Sequence, residues 1–167
     1  GGWGILAAVA GATEVVCVDA SEAALEGVHL NAEQNKVTDK LVTYQGNAFE
    51  VLTALAQNSE KFDVVIVDPP AFIKRKKDFK AGSEGYRRIN ELAMRLVVPN
   101  GVLVSASCSH HMPRASLIRQ IRAAAGHIDR TVTLFDQAGQ APDHPIHPAI
   151  PETEYLKTLF FRVAPKW

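Results

Sequence analysis

The sequence predicts an α/β fold: a mostly parallel, doubly wound sheet with an antiparallel hairpin at its edge. Three observations carry that expectation. Short valine-rich runs alternate with longer stretches of helical period, which is the signature of βαβ units. The runs are apolar with little alternation, as strands covered on both faces are. The last two extended runs depart from the alternation and are joined by a proline-spaced loop, which suits a closing hairpin.

Taken in order, GGWGILAAVAG (1–11) reads as a glycine loop feeding a helix, and EVVCVDA (14–20) as the first strand present. SEAALEGVHLNAEQNK (21–36) opens on a helix-capping serine and sets Ala24, Leu25, Val28 and Ala32 on one face. LVTYQG (41–46) is a strand, NAFEVLTALAQN (47–58) a helix, FDVVIVD (62–68) a strand, EGYRRINELAMRLV (84–97) a helix and GVLVSAS (101–107) a strand. RTVTLFDQ (130–137) and YLKTLFFRV (155–163) form the expected hairpin, with Pro142, Pro145, Pro148 and Pro151 between them. The glycine loop would normally follow a strand, and no such run precedes Gly1. The expectation is therefore one domain over 1–167 that is N-terminally truncated, its neighbours in the sheet left with unpaired edges.

Composition bounds the function. At 167 residues, 47% hydrophobic and 22% charged, the chain can build one real core. Lys+Arg and Asp+Glu are both 18, so any basic surface must be local; KRKK (74–77) is the one cluster. No run approaches the about 18 apolar residues of a membrane span, and no secretory leader is seen, which sets the expectation of a cytoplasmic protein with no membrane partner. Two cysteines, Cys17 and Cys108, are too few for a disulfide framework and are expected as free thiols.

Chemistry gathers at strand ends. Gly1, Gly2 and Gly4 can bring backbone amides close to a ligand, and Asp19 ends the next strand, where an acid accepts ribose hydroxyls. A plain glycine turn with a solvated acid is the competing reading. In VVIVDPPAF (64–72), Asp68 is held at a rigid corner by Pro69 and Pro70, although a strand-ending turn would look the same. SASCSHHMPR (105–114) places Cys108 between two serines where a strand stops. A thiol there is nearer a polar cleft than the core, against the alternative of a small core hydrophobe. Asp19, Asp68 and Cys108 all fall at the edge where open α/β sheets bind ligands.

GGWG with Asp19, GNAF (46–49), DPPAF (68–72), GYRRIN (85–90), SASCS (105–109), DHP (143–145) and EYLK (154–157) resemble, in that order, the motifs of class I S-adenosylmethionine-dependent methyltransferases, whose fold is Rossmann-like. More narrowly they resemble the bacterial enzymes that make 5-methylcytosine in large-subunit ribosomal RNA. The resemblance spans essentially the whole chain. It departs from the family in lacking the first strand and the RNA-binding PUA domain.

The resemblance implies S-adenosyl-L-methionine (SAM) as cofactor, held by Gly1, Gly2, Gly4, Asp19, Ala20, Asn47, Ala48, Asp68 and Pro69. It implies ribosomal RNA as partner, met by Pro70, Phe72, Lys74 and Arg75, with a homodimer allowed and no metal. Cys108 and Asp68 become the catalytic pair. Carbon 5 of cytosine is a poor nucleophile until a thiolate adds to carbon 6, and an acid can steady the N3 and amine edge meanwhile. The base must leave its stack, and Phe72 can pack on it. Cys17, mid-strand, is expected as packing, and Tyr86 and Arg87 as helix-face residues, with contact to substrate the lesser alternative. KRKK is equally readable as a phosphate contact or a solvated loop. His110, His111, Asp143, His144 and His147 match no standard zinc spacing.

Two other functions fit part of the pattern. An acid, two prolines and an aromatic also suit methylation of a base nitrogen, which needs no thiol. A nucleotide- or RNA-binding module without activity is the non-enzymatic alternative. Nicotinamide chemistry is disfavoured, since no Lys or Tyr pair with catalytic spacing follows the glycine loop.

Overall fold

The computed structural model describes residues 1–166, which divide into two compact units, Gly1–Leu55 and the chain from Ala56 onward. The first unit comprises α1 (Gly2–Val9), β1 (Val15–Asp19), α2 (Glu22–Gln34), β2 (Leu41–Gln45) and most of α3 (Ala48–Gln57). β1 and β2 pair in parallel, from Val15 opposite Leu41 to Asp19 opposite Gln45. Ile5 and Ala8 of α1 meet Val28 and Ala32 of α2 and Val37, with Val15, Cys17 and Leu41 packed against them. The close approach of α1 to β1 needs Gly4, where a Cβ would lie 2.7 Å from the Cys17 Sγ.

Ser21 caps α2 as its sequence suggests: the Oγ accepts from the Ala24 amide at 3.3 Å. Ala24 itself is exposed, against expectation. It sits in the capped first turn, and the buried stripe starts one residue later with Leu25, Val28 and Ala32.

The second unit contains β3 (Phe62–Val67), α4 (Phe79–Leu96), β4 (Val97–Ser107), α5 (Arg114–His127), β5 (Arg130–Ala138) and β6 (Lys157–Pro165). Its sheet runs β3-β4-β6-β5. β3 and β4 are parallel, whereas β6 runs antiparallel to both β4 and β5 and so delivers the expected edge hairpin. α4 packs against α5, and the core between helices and sheet is built from Tyr86, Met94, Leu103, Leu117, Leu159 and Phe161.

Three features depart from the sequence reading. The strands are less covered than their apolar runs suggest: Val42, Tyr44 and Val64 are exposed. The unpaired edges, by contrast, agree with that reading: among the described residues β1 pairs only with β2 and β3 only with β4, so each keeps one free edge. α4 begins at Phe79, ahead of the expected 84, running through Gly82. β4 begins at Val97: Phe62 pairs with Val97 and Val64 with Val102, so the register with β3 shifts across Val98, Pro99, Asn100 and Gly101, with Asn100 at φ 63°.

Gly82 has a packing reason to interrupt helix propensity. A Cβ there would lie 2.4 Å from the Ile73 Cγ1 and 2.8 Å from the Phe72 carbonyl oxygen. The loop after β3 therefore lies directly on α4. Gly82→Ala is expected to destabilise the protein by about 1–3 kcal/mol through this overpacking, despite alanine's better helix propensity. Urea unfolding measures it; a midpoint unchanged or raised would mean that the loop yields freely.

Candidate functional site

In the first unit, Asp19 closes β1 and its side chain is exposed. Its Oδ1 accepts the Ser21 amide at 2.8 Å, while Oδ2 has no partner among the described residues. The Asp19 carbonyl accepts the Gly46 amide at 3.0 Å, which ties the ends of β1 and β2 together and brings the GNAF turn beside Asp19 and Ala20. Asn47 is partly committed: its Oδ1 accepts the Phe49 amide at 2.9 Å and caps α3, with Ala48 the first helical residue. The three glycines separate into two roles. Gly1 and Gly4 are demanded by Val28 and Cys17, whereas a Cβ at Gly2 would meet nothing within 4 Å, leaving its backbone approachable.

In the second unit, Val67 of β3 lies opposite Ser105 of β4 in a parallel pair. Asp68 and Cys108 therefore lie just past the same ends of adjacent strands. Asp68 is exposed, Pro69 is buried and Pro70 is exposed, so the corner is anchored by one proline and presents the other. Cys108 is half-buried.

The segment holding Cys108 is fixed by a buried hydroxyl network. Ser107 donates its Oγ proton to the Tyr86 hydroxyl at 2.8 Å, and the Tyr86 and Ser109 hydroxyls are 2.9 Å apart. The Ser109 amide donates back to the Ser107 Oγ at 3.2 Å, and the Ile73 amide donates to the Ser109 Oγ at 3.2 Å. Both serines and Tyr86 are essentially inaccessible. The residues on either side of Cys108 are thus bolted to α4 and to the loop after β3. The Phe72 ring packs beside Tyr86, 4.8 Å between centroids and tilted 50°, and against Gly85. Lys157, at the start of β6, donates to the Ser109 carbonyl at 2.7 Å.

Tyr86, Ser107, Ser109 and Lys157 are the residues that sequence reasoning missed. Tyr86 is no surface residue of its helix: it is wholly buried and touches the cysteine's flanks. The available signals were the two serines around Cys108 and the EYLK element. Arg87 does lie on the helix face, held by Glu84 and Glu91.

Lys74 and Arg75 are exposed, and the Arg75 Nε donates to Asp78 Oδ2 at 3.1 Å beside the 3₁₀ turn Lys76–Asp78. The His110 and His111 rings are 5.2 Å apart, and His144 pairs with Asp143. No group of three or more His, Cys, Asp or Glu converges for a metal among the described residues. No helix among them is long and apolar enough to cross a membrane.

This architecture matches solved methyltransferases. SMU.776, described as a methyltransferase and solved with SAH, superposes with a TM-score of 0.82 at 19% identity, over 95% of this chain and 41% of that one. A protein of Streptococcus mutans described as a SAM-dependent methyltransferase gives 0.81 at 18% identity, over 95% and 40%. The fold is therefore the Rossmann-like α/β fold of the SAM-dependent methyltransferases. The chain belongs to the family described as conserved hypothetical protein 95, whose model matches residues 1–122.

Among curated sequences, it is 40% identical to the candidate ribosomal RNA large subunit methyltransferase MJ1649 of Methanocaldococcus jannaschii, over 98% of this chain and 42% of that protein. It is 37% identical to ribosomal RNA large subunit methyltransferase I of Serratia proteamaculans, over 98% and 41%. The chain thus spans about two-fifths of the length of these relatives.

Proposed function

We propose that this chain forms the catalytic part of a SAM-dependent methyltransferase that modifies large-subunit ribosomal RNA, and that it methylates carbon 5 of a cytosine through Cys108. The relatives' names support the substrate, and the methyltransferase fold, with SAH bound in one neighbour, supports the cofactor. The observation that carries the finer reading is the thiol: Cys108 lies past the strand end adjacent to that of Asp68, on a segment locked by Tyr86.

The residues fit the cofactor. Gly2 leaves open space at the start of α1, and Asp19 keeps an unengaged carboxylate oxygen at the end of β1, suited to ribose hydroxyls. Bound there, SAM supplies the electrophilic methyl group. The Cys108 thiolate adds to carbon 6 of the cytosine, and the ring electrons shift to make carbon 5 nucleophilic. Asp68 holds the N3 and amine edge where charge changes. Once carbon 5 carries the methyl group, loss of its proton to a base expels the cysteine sulfur and restores the aromatic ring. Phe72, its ring set against α4, offers a surface to the unstacked base, and the exposed Lys74 and Arg75 meet phosphates.

The test is nucleoside mass spectrometry of ribosomal RNA from cells with and without the gene. Loss of one 5-methylcytidine from the large subunit is expected, and an unchanged content would overturn the assignment. Methylation of a base nitrogen, favoured by the Asp68-Pro69-Pro70 corner with its aromatic, would instead remove an N-methylated nucleoside. Asp19→Ala is expected to weaken SAM binding by about 1.5–3 kcal/mol, the cost of losing hydrogen bonds to a charged group. Calorimetry checks this, and unchanged affinity would remove Asp19 from the site.

A further inference from the structure

Lys157 is an unusual place for a charge. It opens β6 directly across the antiparallel ladder from Ser107 and is only 7% exposed. Its one hydrogen bond is to the neutral Ser109 carbonyl, and among the described residues no carboxylate lies in ion-pair range. A desolvated ammonium without a counter-ion is costly, and proteins keep one where it serves another charge. The groups facing it come from three directions. Cys108 and His110 lie at and beyond the end of β4, Arg114 opens α5, and Glu154 precedes β6. His110, Arg114, Glu154 and Lys157 also share a cavity of about 180 Å³.

We infer that Lys157 is the built-in counter-cation of the Cys108 thiolate, a positioning residue that favours the ionised sulfur. The inference rests on the reading of Cys108 as the nucleophile and adds the group that prepares it. Arg114 is a poorer candidate because its guanidinium is turned to Gln137 Oε1, at 2.7 Å, and His110 is exposed. Burial pulls the Lys157 pKa down, the Cys108 charge pulls it up, and Arg114 and Glu154 act in opposite senses. Opposite charges attract, so an ammonium held on the carbonyl next to a cysteine favours a negative charge there. On ionisation the thiol proton passes to solvent and the S–H electron pair stays on sulfur. The Ser109 carbonyl holds the ammonium beside the cysteine through this change.

The test reads the sulfur directly, without RNA or SAM. In iodoacetamide alkylation the thiolate forms one S–C bond as iodide leaves, so the rate against pH reports thiol ionisation. Peptide mass spectrometry separates Cys108 from Cys17, whose thiol is pushed up by burial and whose rate serves as a check on folding. Lys157→Met is expected to slow Cys108 alkylation about tenfold at neutral pH and to move its profile upward, since losing a nearby cation raises a thiol's pKa. Lys157→Gln, uncharged but still a donor, should slow it alike, and Lys157→Arg should restore most of the rate.

An unchanged Cys108 profile in Lys157→Met, or full reactivity in Lys157→Gln, would overturn the inference. So would an equal loss in Lys157→Arg, which would make the hydrogen bond to Ser109 the whole effect. Failure of the nucleophile reading shows elsewhere, as a Cys108→Ser protein that still methylates RNA.

Discussion

Cys108→Ser is expected to abolish methylation, by roughly three orders of magnitude or more, while Cys17→Ser retains it. The two thiols differ in surroundings. Cys17 lies in β1 against the α1–α2 core, with Gly4 close above its sulfur, and burial holds its thiol protonated. Its replacement should carry a packing cost alone. Cys108 is half-buried past a strand end, with Asp68 past the neighbouring one and the Lys157 ammonium nearby. A serine hydroxyl is almost wholly protonated near neutral pH and cannot add to carbon 6, whereas a cysteine with a pKa of about 8.5 or below supplies usable thiolate. The check is nucleoside mass spectrometry of ribosomal RNA from cells carrying only the variant gene. RNA with 5-fluorocytosine at the target should trap the wild-type protein as a stable adduct, because fluorine cannot leave as a proton. The serine variant should form none. Retained activity in Cys108→Ser, with no adduct in wild type, would mean that a base nitrogen attacks the methyl group directly.

Much of this was legible in the sequence because it is local. The valine-rich runs became strands, Ser21 became a cap, and the two extended runs after residue 130 became the edge hairpin, since each depends on neighbours a few positions away. The chemical residues were legible for a related reason: Asp19, Asp68 and Cys108 stand where strands stop. Helix α5 carries its own stripe, Leu117, Ile121, Ala124 and Ala125, but begins behind the cysteine motif and was not assigned. The early start of α4 was hidden because Gly82 and Gly85 look like helix breakers, and only the packed loop at Phe72 and Ile73 explains them. Least visible was the support around Cys108. Tyr86 reaches Ser107 across 21 positions and Lys157 reaches Ser109 across 48, and no periodicity in the sequence encodes such a pairing. Local patterning positions the strand ends, and long-range polar contacts then hold the reactive residue still.

Tyr86 offers the sharpest separation of those two layers. Its ring fills the core beside Phe72, and its hydroxyl bridges Ser107 and Ser109. Tyr86→Phe keeps the ring and removes the bridge. Ser107 still accepts the Ser109 amide and Ser109 still accepts the Ile73 amide, so only the bridging contacts are lost. The expected cost is about 1–3 kcal/mol in urea unfolding, because buried hydroxyls are left short of partners. Tyr86→Ala should cost about 3–5 kcal/mol, adding the cavity left by a large buried ring. Function should divide differently. With the bridge gone, the segment around Cys108 loses its tie to α4, and a misplaced nucleophile reacts slowly: methylation in Tyr86→Phe is expected to fall roughly ten- to a hundredfold. The measurement is the RNA methylation rate at a temperature where the variant is fully folded. A Phe variant as stable and as fast as wild type would show that the ring alone matters, and that the hydroxyl network does not hold the cysteine in place.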